Sequence, residues 1–153
     1  MKEVTLKKGY HYTGTTVEFT RSIEQIKQML MKHGCAKIGE MRTVDGKGIP
    51  RLVLVFENMG TPFTIEFPTT YTSTKSGKRE LNMNISGRII HDRVKALLVE
   101  VDIGYLDFAQ AMMPYLIVAT PQGQMALEDA VKNNEERFRR GTFSMNLLTD
   151  GEL

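Results

Sequence analysis

Residues 49–68 read IPRLVLVFENMGTPFTIEFP, and this stretch decides the fold. Its first half is a dense run of β-branched and aromatic side chains, which is typical of a central strand. Residues 58–60 (NMG) indicate a turn. In the second half Phe63, Ile65 and Phe67 alternate with polar residues and therefore share one face of a strand. Two strands joined by so short a connection pair antiparallel.

The sequence before this stretch predicts a third strand and a helix. Residues 35–44 (CAKIGEMRTV) alternate and end at a DGKG turn. A helix is predicted over residues 20–34, where Ser22 and Gln25 have the spacing of a capping box. Its apolar residues fall on one helical face: Ile23, Ile26, Met29 and Leu30. Residues 1–19 predict one or two short strands or an irregular arm.

Three helices are predicted after the strands. A long amphipathic helix begins within residues 82–88 and ends at Gly104. Asp107 caps a short helix, with Gln110 three residues further on. Residues 120–124 form a turn, and residues 125–140 predict a last helix.

The order of elements is α-β-β-β-α, which predicts an α+β fold. It consists of an antiparallel three- to four-stranded sheet with helices packed on one face, plus C-terminal helices. We divide the chain into an N-terminal strand or arm (1–19), one α+β domain (20–132) and a C-terminal arm or frayed tail (133–153). Phe138 and Phe143 are predicted anchors of that arm on a neighbouring subunit, which favours a homo-oligomer.

Composition excludes several classes of protein. The chain has 153 residues, is 41% hydrophobic and 25% charged, and carries a formal charge of +2, so it is globular and not strongly basic. Its single cysteine, Cys35, excludes an intramolecular disulfide. No apolar run has membrane-spanning length, and the first residues lack the apolar core of a signal peptide. We therefore predict a cytoplasmic protein with no membrane partner.

The polar segment TTYTSTKSGKRE at residues 69–80 is the first candidate site. It lacks the glycine and lysine spacing of a nucleotide-binding P-loop. Its hydroxyls and cations, close to the start of a helix, nevertheless suit phosphate groups. The predicted contacts are Lys75, Lys78 and Arg79, with Tyr71 beside them. The alternative is a solvated connecting loop.

Further basic residues extend this candidate site. Arg42, Lys47 and Arg51 flank the first hairpin, where several of them are predicted to share the sheet face away from the helices. Arg88 and Arg93 add charge on the long helix, completing a stripe that follows a phosphate backbone. Tyr10, Tyr12 and Tyr71 are candidates for base stacking. The alternative is ordinary surface charge, since acidic and basic residues nearly balance.

No catalytic or metal-binding pattern is present. His11, His33 and His91 lie on separate elements without the spacing of metal ligands. His91 and Asp92 are adjacent in a predicted helix and are expected to point in different directions. Cys35 has no oriented base and is predicted to be a small buried residue. We therefore predict a non-enzymatic protein with no cofactor and no metal.

Residues 88–131 carry a resemblance to a known family. The segment RIIHDRVKALLVEVDIGYLDFAQAMMPYLIVATPQGQMALEDAV combines a helix ending at Gly104, a short capped helix with a PYL element and a P-x-G turn before another helix. It resembles a family of small uncharacterised proteins of bacteriophages and prophages, over roughly residues 20–132. The chain departs from that pattern in its polar loop at 68–87 and its less basic following helix. The resemblance supplies no catalytic residues, and it implies a mobile-element setting.

Three functions fit these observations. The leading one is a nucleic-acid-binding accessory of a phage-like element, acting on DNA or RNA in recombination, replication or repair. The second is an oligomeric binder of a small anionic nucleotide, sequestered in counter-defence. The third is a structural or protein-interaction module built on the methionine-rich helices at residues 108–131.

Overall fold

The computed structural model describes residues 2–141 and 144–148, except for the side chain of Phe138, and it has the predicted α+β class. The strands are β1 (Glu3–Lys7), β2 (Cys35–Val44), β3 (Pro50–Asn58), β4 (Thr61–Glu66), β5 (Thr69–Ser73), β6 (Arg79–Leu81), β7 (Ile117–Thr120), β8 (Gly123–Ala126) and β9 (Asn146–Leu147). The helices are α1 (Phe19–Lys32), α2 (Met83–Asp102), α3 (Phe108–Ala111), α4 (Leu127–Asn133) and α5 (Glu135–Arg139), with a 3-10 turn at Met113–Tyr115.

The central sheet is the predicted antiparallel meander, in the order β2-β3-β4. Leu54 pairs with Ile65, and Phe56 pairs with Phe63, whose ring stacks on it at 5.5 Å. These side chains lie on one face of the sheet and are almost fully buried. Removing each such side chain from water contributes about 1.5–3 kcal/mol, so this face drives folding.

Helices α1 and α2 cover that face, as predicted. Ile26 and Leu30 of α1 and Val94 of α2 are completely buried in the shared core. The predicted ends of α2 are confirmed: it starts at Met83, and Gly104 adopts a φ of 75° just beyond its last residue. The positive φ is the reason that a glycine follows the helix.

The predicted cap of α1 is wrong, although the helix starts within one residue of the predicted range. The helix begins at Phe19, three residues before the expected cap Ser22, and Glu18 at the N-cap makes no side-chain hydrogen bond. Ser22 lies inside the helix and is fully buried. A small side chain is needed there because α2 approaches α1 at Gly87. A packing requirement therefore produced a sequence pattern that looks like a cap.

Residues 69–81 are a β-hairpin and not the predicted loop. Strand β5 pairs with β6 antiparallel and with β1 in parallel, giving the sheet order β1-β5-β6. Thr70 fixes this sheet to α2: its hydroxyl donates to the carbonyl of Asn82 and accepts from the amide of Ser86 at 3.1 Å. Asn82 caps α2 by accepting from the amide of Asn84.

The C-terminal part combines confirmed and unexpected elements. The capping box between Asp107 and Gln110 is present as predicted. Strands β7 and β8, unanticipated in the sequence, form a hairpin around the predicted turn. The predicted last helix is divided in two at Asn134, whose side-chain amide donates to the carbonyl of Ala130.

Part of the predicted C-terminal arm also pairs within this chain. Strand β9 lies beside β7, with Leu147 opposite Val118. The predicted anchors Phe143 and the side chain of Phe138 lie outside the described residues.

Candidate nucleic-acid interface

Residues 74–78 form a compact hydrogen-bonded turn between β5 and β6. The amide of Thr74 donates to the carbonyl of Lys78 at 2.7 Å, and the amide of Gly77 donates to the carbonyl of Thr74 at 3.0 Å. The Thr74 hydroxyl also donates to the Lys78 carbonyl. These bonds hold the backbone of Lys75 and Lys78 in place while their side chains remain exposed.

The parallel pairing of β1 with β5 brings two more lysines to this turn. Lys7 pairs with Ser73, and Ser73 pairs in turn with Arg79. A groove of about 480 Å³ lies between the two strand ends. It is lined by Lys7, Lys8, Gly9, Ser73, Thr74 and Lys75. We name the group the basic edge; its members are Lys7, Lys8, Lys75, Lys78 and Arg79.

The lysines of the basic edge are not neutralised by nearby acids. Within the described part of the chain, no carboxylate forms an ion pair with Lys7, Lys8, Lys75 or Lys78. Arg79 has one partner, Glu3, at 3.5 Å. A chain with a formal charge of only +2 thus concentrates positive charge at one end of one sheet.

Tyr71 has a supporting position in this arrangement. It is only 7% exposed, and the Arg79 guanidinium lies 4.1 Å from its ring centroid. Arg79 therefore covers the ring of Tyr71, so this ring is not exposed for the predicted base stacking. The cation–π contact instead restrains Arg79 at the edge.

The second predicted basic set does not form one surface. Arg42 pairs with Leu52, whose side chain points into the core, so Arg42 lies on the helix side of the sheet. Arg51 lies on the opposite face. Each is paired with an acid: Arg42 with Glu40 and Arg51 with Glu66, both at 3.0 Å. Lys47 lies in the turn between β2 and β3 and is exposed.

Arg88 and Arg93 are engaged within the protein. Arg88 donates to the Gln25 side chain of α1 at 2.8 Å, and its own side chain is 17% exposed. Arg93 donates to Glu128 of α4 at 2.8 Å and lies 4.9 Å from the Tyr115 ring centroid. The two arginines thus link α2 to α1 and to α4, and neither extends the basic edge.

Lys2 anchors the start of β1 to α4. Its ammonium lies 2.8 Å from Glu128 and 3.0 Å from Asp129. Burial raises the pKa of Glu128, but hydrogen bonds from Lys2 and Arg93 outweigh burial, and the net pKa is lowered. The charged carboxylate therefore holds β1, α2 and α4 together and indirectly positions Lys7.

His91 and Asp92 are in contact, contrary to the sequence-based expectation. The Nδ1 atom of His91 lies 2.8 Å from Asp92 Oδ1 and 2.9 Å from a terminal nitrogen of Arg88. Arginine can only donate, so Nδ1 accepts from Arg88 when it is unprotonated and donates to Asp92 when it carries the proton. Neighbouring helical side chains meet here because both turn toward the same guanidinium.

The hydroxyl of Tyr12 interacts with Asp92 beside this group. Burial and this interaction raise the pKa of Tyr12. Burial works to raise the pKa of Asp92, but the interactions with His91 and Tyr12 and the charge of Arg88 lower it overall. Tyr12 has a φ of 74°, a conformation that a residue with a side chain rarely adopts.

The described residues provide no site for a metal ion and no activated thiol. They contain no group of three or more His, Cys, Asp or Glu placed to hold a metal. Cys35 is buried, and burial raises its pKa to about 11, so its thiol stays protonated near neutral pH. The basic edge, in contrast, presents several lysine ammonium groups that can bind an anion.

Comparisons with protein-family models, with curated proteins and with solved structures find no match to this chain. No helix within residues 2–141 and 144–148 combines the length and the apolar composition needed to cross a bilayer.

Proposed function

We propose that this protein binds nucleic acid without catalysing a reaction, and that the basic edge contacts the phosphate backbone. The single observation that carries this proposal is the group of four lysines without acidic partners in the described residues, three of which line a groove at one end of a sheet. In line with the family resemblance, we assign it an accessory role in recombination, replication or repair of a phage-like element.

Lysines that lack acidic partners suit this function for a physical reason. A paired lysine must give up its carboxylate before it binds a phosphate, whereas an unpaired one gives up only water and counterions. Four or five phosphate contacts predict that the logarithm of the binding constant falls with the logarithm of salt concentration with a slope of about −3 to −4.

A second candidate is a small anionic nucleotide. The groove beside Lys7, Lys8 and Lys75 has a volume of about 480 Å³, within the usual range for small-ligand sites of roughly 300–1,000 Å³. The same ammonium groups would hold the phosphates of one bound nucleotide. This function would place the protein in counter-defence by sequestration.

The deciding experiment compares matched charge reversals. Lys75→Glu with Lys78→Glu alters the basic edge, whereas Lys47→Glu with Lys95→Glu makes the same change in net charge at exposed positions outside it. Binding of fluorescent DNA and RNA oligonucleotides is measured over a range of salt concentrations. We expect the first pair to weaken binding and to flatten its salt dependence, and the second pair to retain both.

Three outcomes have different meanings. Equal effects of the two variant pairs would show attraction by net charge alone and would overturn the proposed site. Binding of a mononucleotide with no preference for the longer oligonucleotide would favour the second candidate. No binding of either by the unaltered protein would overturn both.

Self-association in the cytoplasm belongs to the same proposal. Two exposed apolar residues, Met59 and Ile103, lie at one end of the molecule. Two hydrogen bonds bring this end together: Asn58 donates to the His33 carbonyl at 2.8 Å, and His33 Nε2 lies 2.7 Å from Asp102. Such apolar side chains favour a subunit interface, and sedimentation at increasing protein concentration tests it.

A further inference from the structure

An exposed aromatic ring stands next to the basic edge. Tyr10 is 62% exposed and lines a shallow groove of about 280 Å³ with Thr5, Leu6 and Lys7. Lys7 also lines the larger groove beside Lys75. Lys7 therefore borders both the groove that contains Tyr10 and the groove that contains Lys75.

The backbone around Tyr10 is held in a fixed turn. The amide of Tyr10 donates to the carbonyl of Lys7, and the amide of Thr13 donates to the carbonyl of Tyr10, both at 3.1 Å. The Thr13 side chain accepts from the amide of Gly9 and donates to the Tyr10 carbonyl. Gly9 has a φ of +96°, a conformation that a residue with a side chain rarely adopts. The backbone that carries the exposed Tyr10 ring is therefore held in one conformation.

The other tyrosines do not offer a ring at this surface. Tyr71 is covered by Arg79, and the Tyr12 ring packs edge-on against His11 at 4.2 Å. Tyr115 is 1% exposed. Tyr105 is 74% exposed but follows the C-terminal end of α2, away from the basic edge.

We propose that Tyr10 stacks on an unpaired nucleobase and makes the basic edge selective for single-stranded nucleic acid. This inference rests on the proposed function and names its substrate class. Bases in a duplex are already stacked and paired, so a tyrosine ring gains nothing from them. Bases of a single strand expose their faces, and stacking on an aromatic side chain adds to phosphate contacts without a strong sequence preference.

The experiment separates stacking from charge. Oligothymidine and a hairpin duplex of equal length are titrated against the unaltered protein and against Tyr10→Ala, Tyr10→Phe and Tyr105→Ala. Tyr10→Phe keeps the aromatic ring, and Tyr105→Ala removes an equally exposed tyrosine elsewhere. Salt titrations accompany each measurement.

The unaltered protein is expected to bind the single strand more tightly than the duplex. Tyr10→Ala is expected to lose about tenfold in affinity for the single strand, because base stacking on one aromatic side chain has roughly this value. Its salt slope is expected to be unchanged, since the lysines remain. Tyr10→Phe and Tyr105→Ala are expected to bind like the unaltered protein.

The inference is overturned if the protein binds the duplex as tightly as the single strand, or if Tyr10→Ala binds oligothymidine normally. In either case the lysine contacts still stand if the Lys75 and Lys78 reversals weaken binding. If the unaltered protein binds neither the single strand nor the duplex, the proposed function itself is overturned.

Discussion

Gly87 of α2 lies directly against Ser22 of α1: a Cβ atom at position 87 would come within 2.9 Å of the Ser22 Cβ and 3.1 Å of the Phe19 ring. Both helices are therefore closest at a pair of small residues. The neighbouring Ile23 and Ile26 and the α2 residue Ile90 pack into the core because this approach is so close.

Gly87→Ala is expected to lower the free energy of unfolding by about 1–3 kcal/mol, because the added methyl group overpacks the helix contact. Without this contact, alanine would stabilise the helix interior by about 1 kcal/mol relative to glycine. The sign of the change in the free energy of unfolding, measured with urea, therefore tests the close approach. The matched control is Gly14→Ala, where an added Cβ meets nothing within 4 Å. A more stable Gly87→Ala variant would contradict the close approach.

Glu3→Gln is expected to strengthen nucleic-acid binding about twofold at low salt. Glu3 is the one carboxylate paired with Arg79 in the described residues, at 3.5 Å, and an exposed ion pair has a value of about 0.5 kcal/mol. Glu24→Gln makes the same change at an exposed position on α1 and serves as the control. Equal gains in both variants would show that net charge alone is responsible.

His33 is expected to give the protein a stability that declines as pH rises above about 6.5. Burial lowers its pKa, but Nδ1–H donates to the Met29 carbonyl and Nε2–H donates to Asp102, and these bonds raise the pKa overall. Both donors exist only in the charged ring. The stabilisation is complete below the unfolded pKa of about 6.5 and is lost as pH rises through the higher folded value.

Urea unfolding across this pH range checks the assignment, with His33→Gln as the variant. We expect the variant to lose this part of the pH dependence and to be less stable than the unaltered protein mainly on the acidic side. His11→Gln is the control, since the His11 ring contacts Tyr12 and no carboxylate pairs with it in the described residues. Identical pH profiles for the unaltered protein and His33→Gln would refute the contribution.

Tyr12 and Asp92 are expected to be energetically coupled. A double-mutant cycle with Tyr12→Phe and Asp92→Asn should give a coupling energy of about 1 kcal/mol. This energy is smaller than that of a buried hydrogen bond to a charged group, because Asp92 is partly exposed. The pKa of Asp92 is lowered, so this contribution is present above the unfolded pKa of about 3.9 and is lost as pH falls through the folded value. Additive effects of the two substitutions would argue against the bond.

The sequence predicts the central sheet and its helices well because alternation and helical spacing are local. Leu52, Ile65 and Val94 bury the faces that their spacing indicates. Ser22 misled the prediction because small residues serve both helix caps and close helix contacts. The strand character of residues 117–120 was hidden within an apolar run that periodicity alone does not assign.

The candidate site was predicted only in part. Lys75, Lys78 and Arg79 are neighbours in sequence, so their grouping could be read directly. Lys7 and Lys8 join them through a parallel pairing between distant strands, for which the local sequence carries no signal. The LKKGY segment, two lysines at the end of an alternating stretch, was the one available indication.

The pairing of β1 with β5 also orders events during folding. Strand β1 cannot pair until β5 has been synthesised, and β5 follows α1 and the whole β2-β3-β4 meander in the chain. Closing so long a loop costs entropy before any contact compensates for it, so such long-range pairings form slowly. Newly made chains would thus acquire their helix-covered core before the basic edge, and partially folded molecules would lack the proposed nucleic-acid-binding surface.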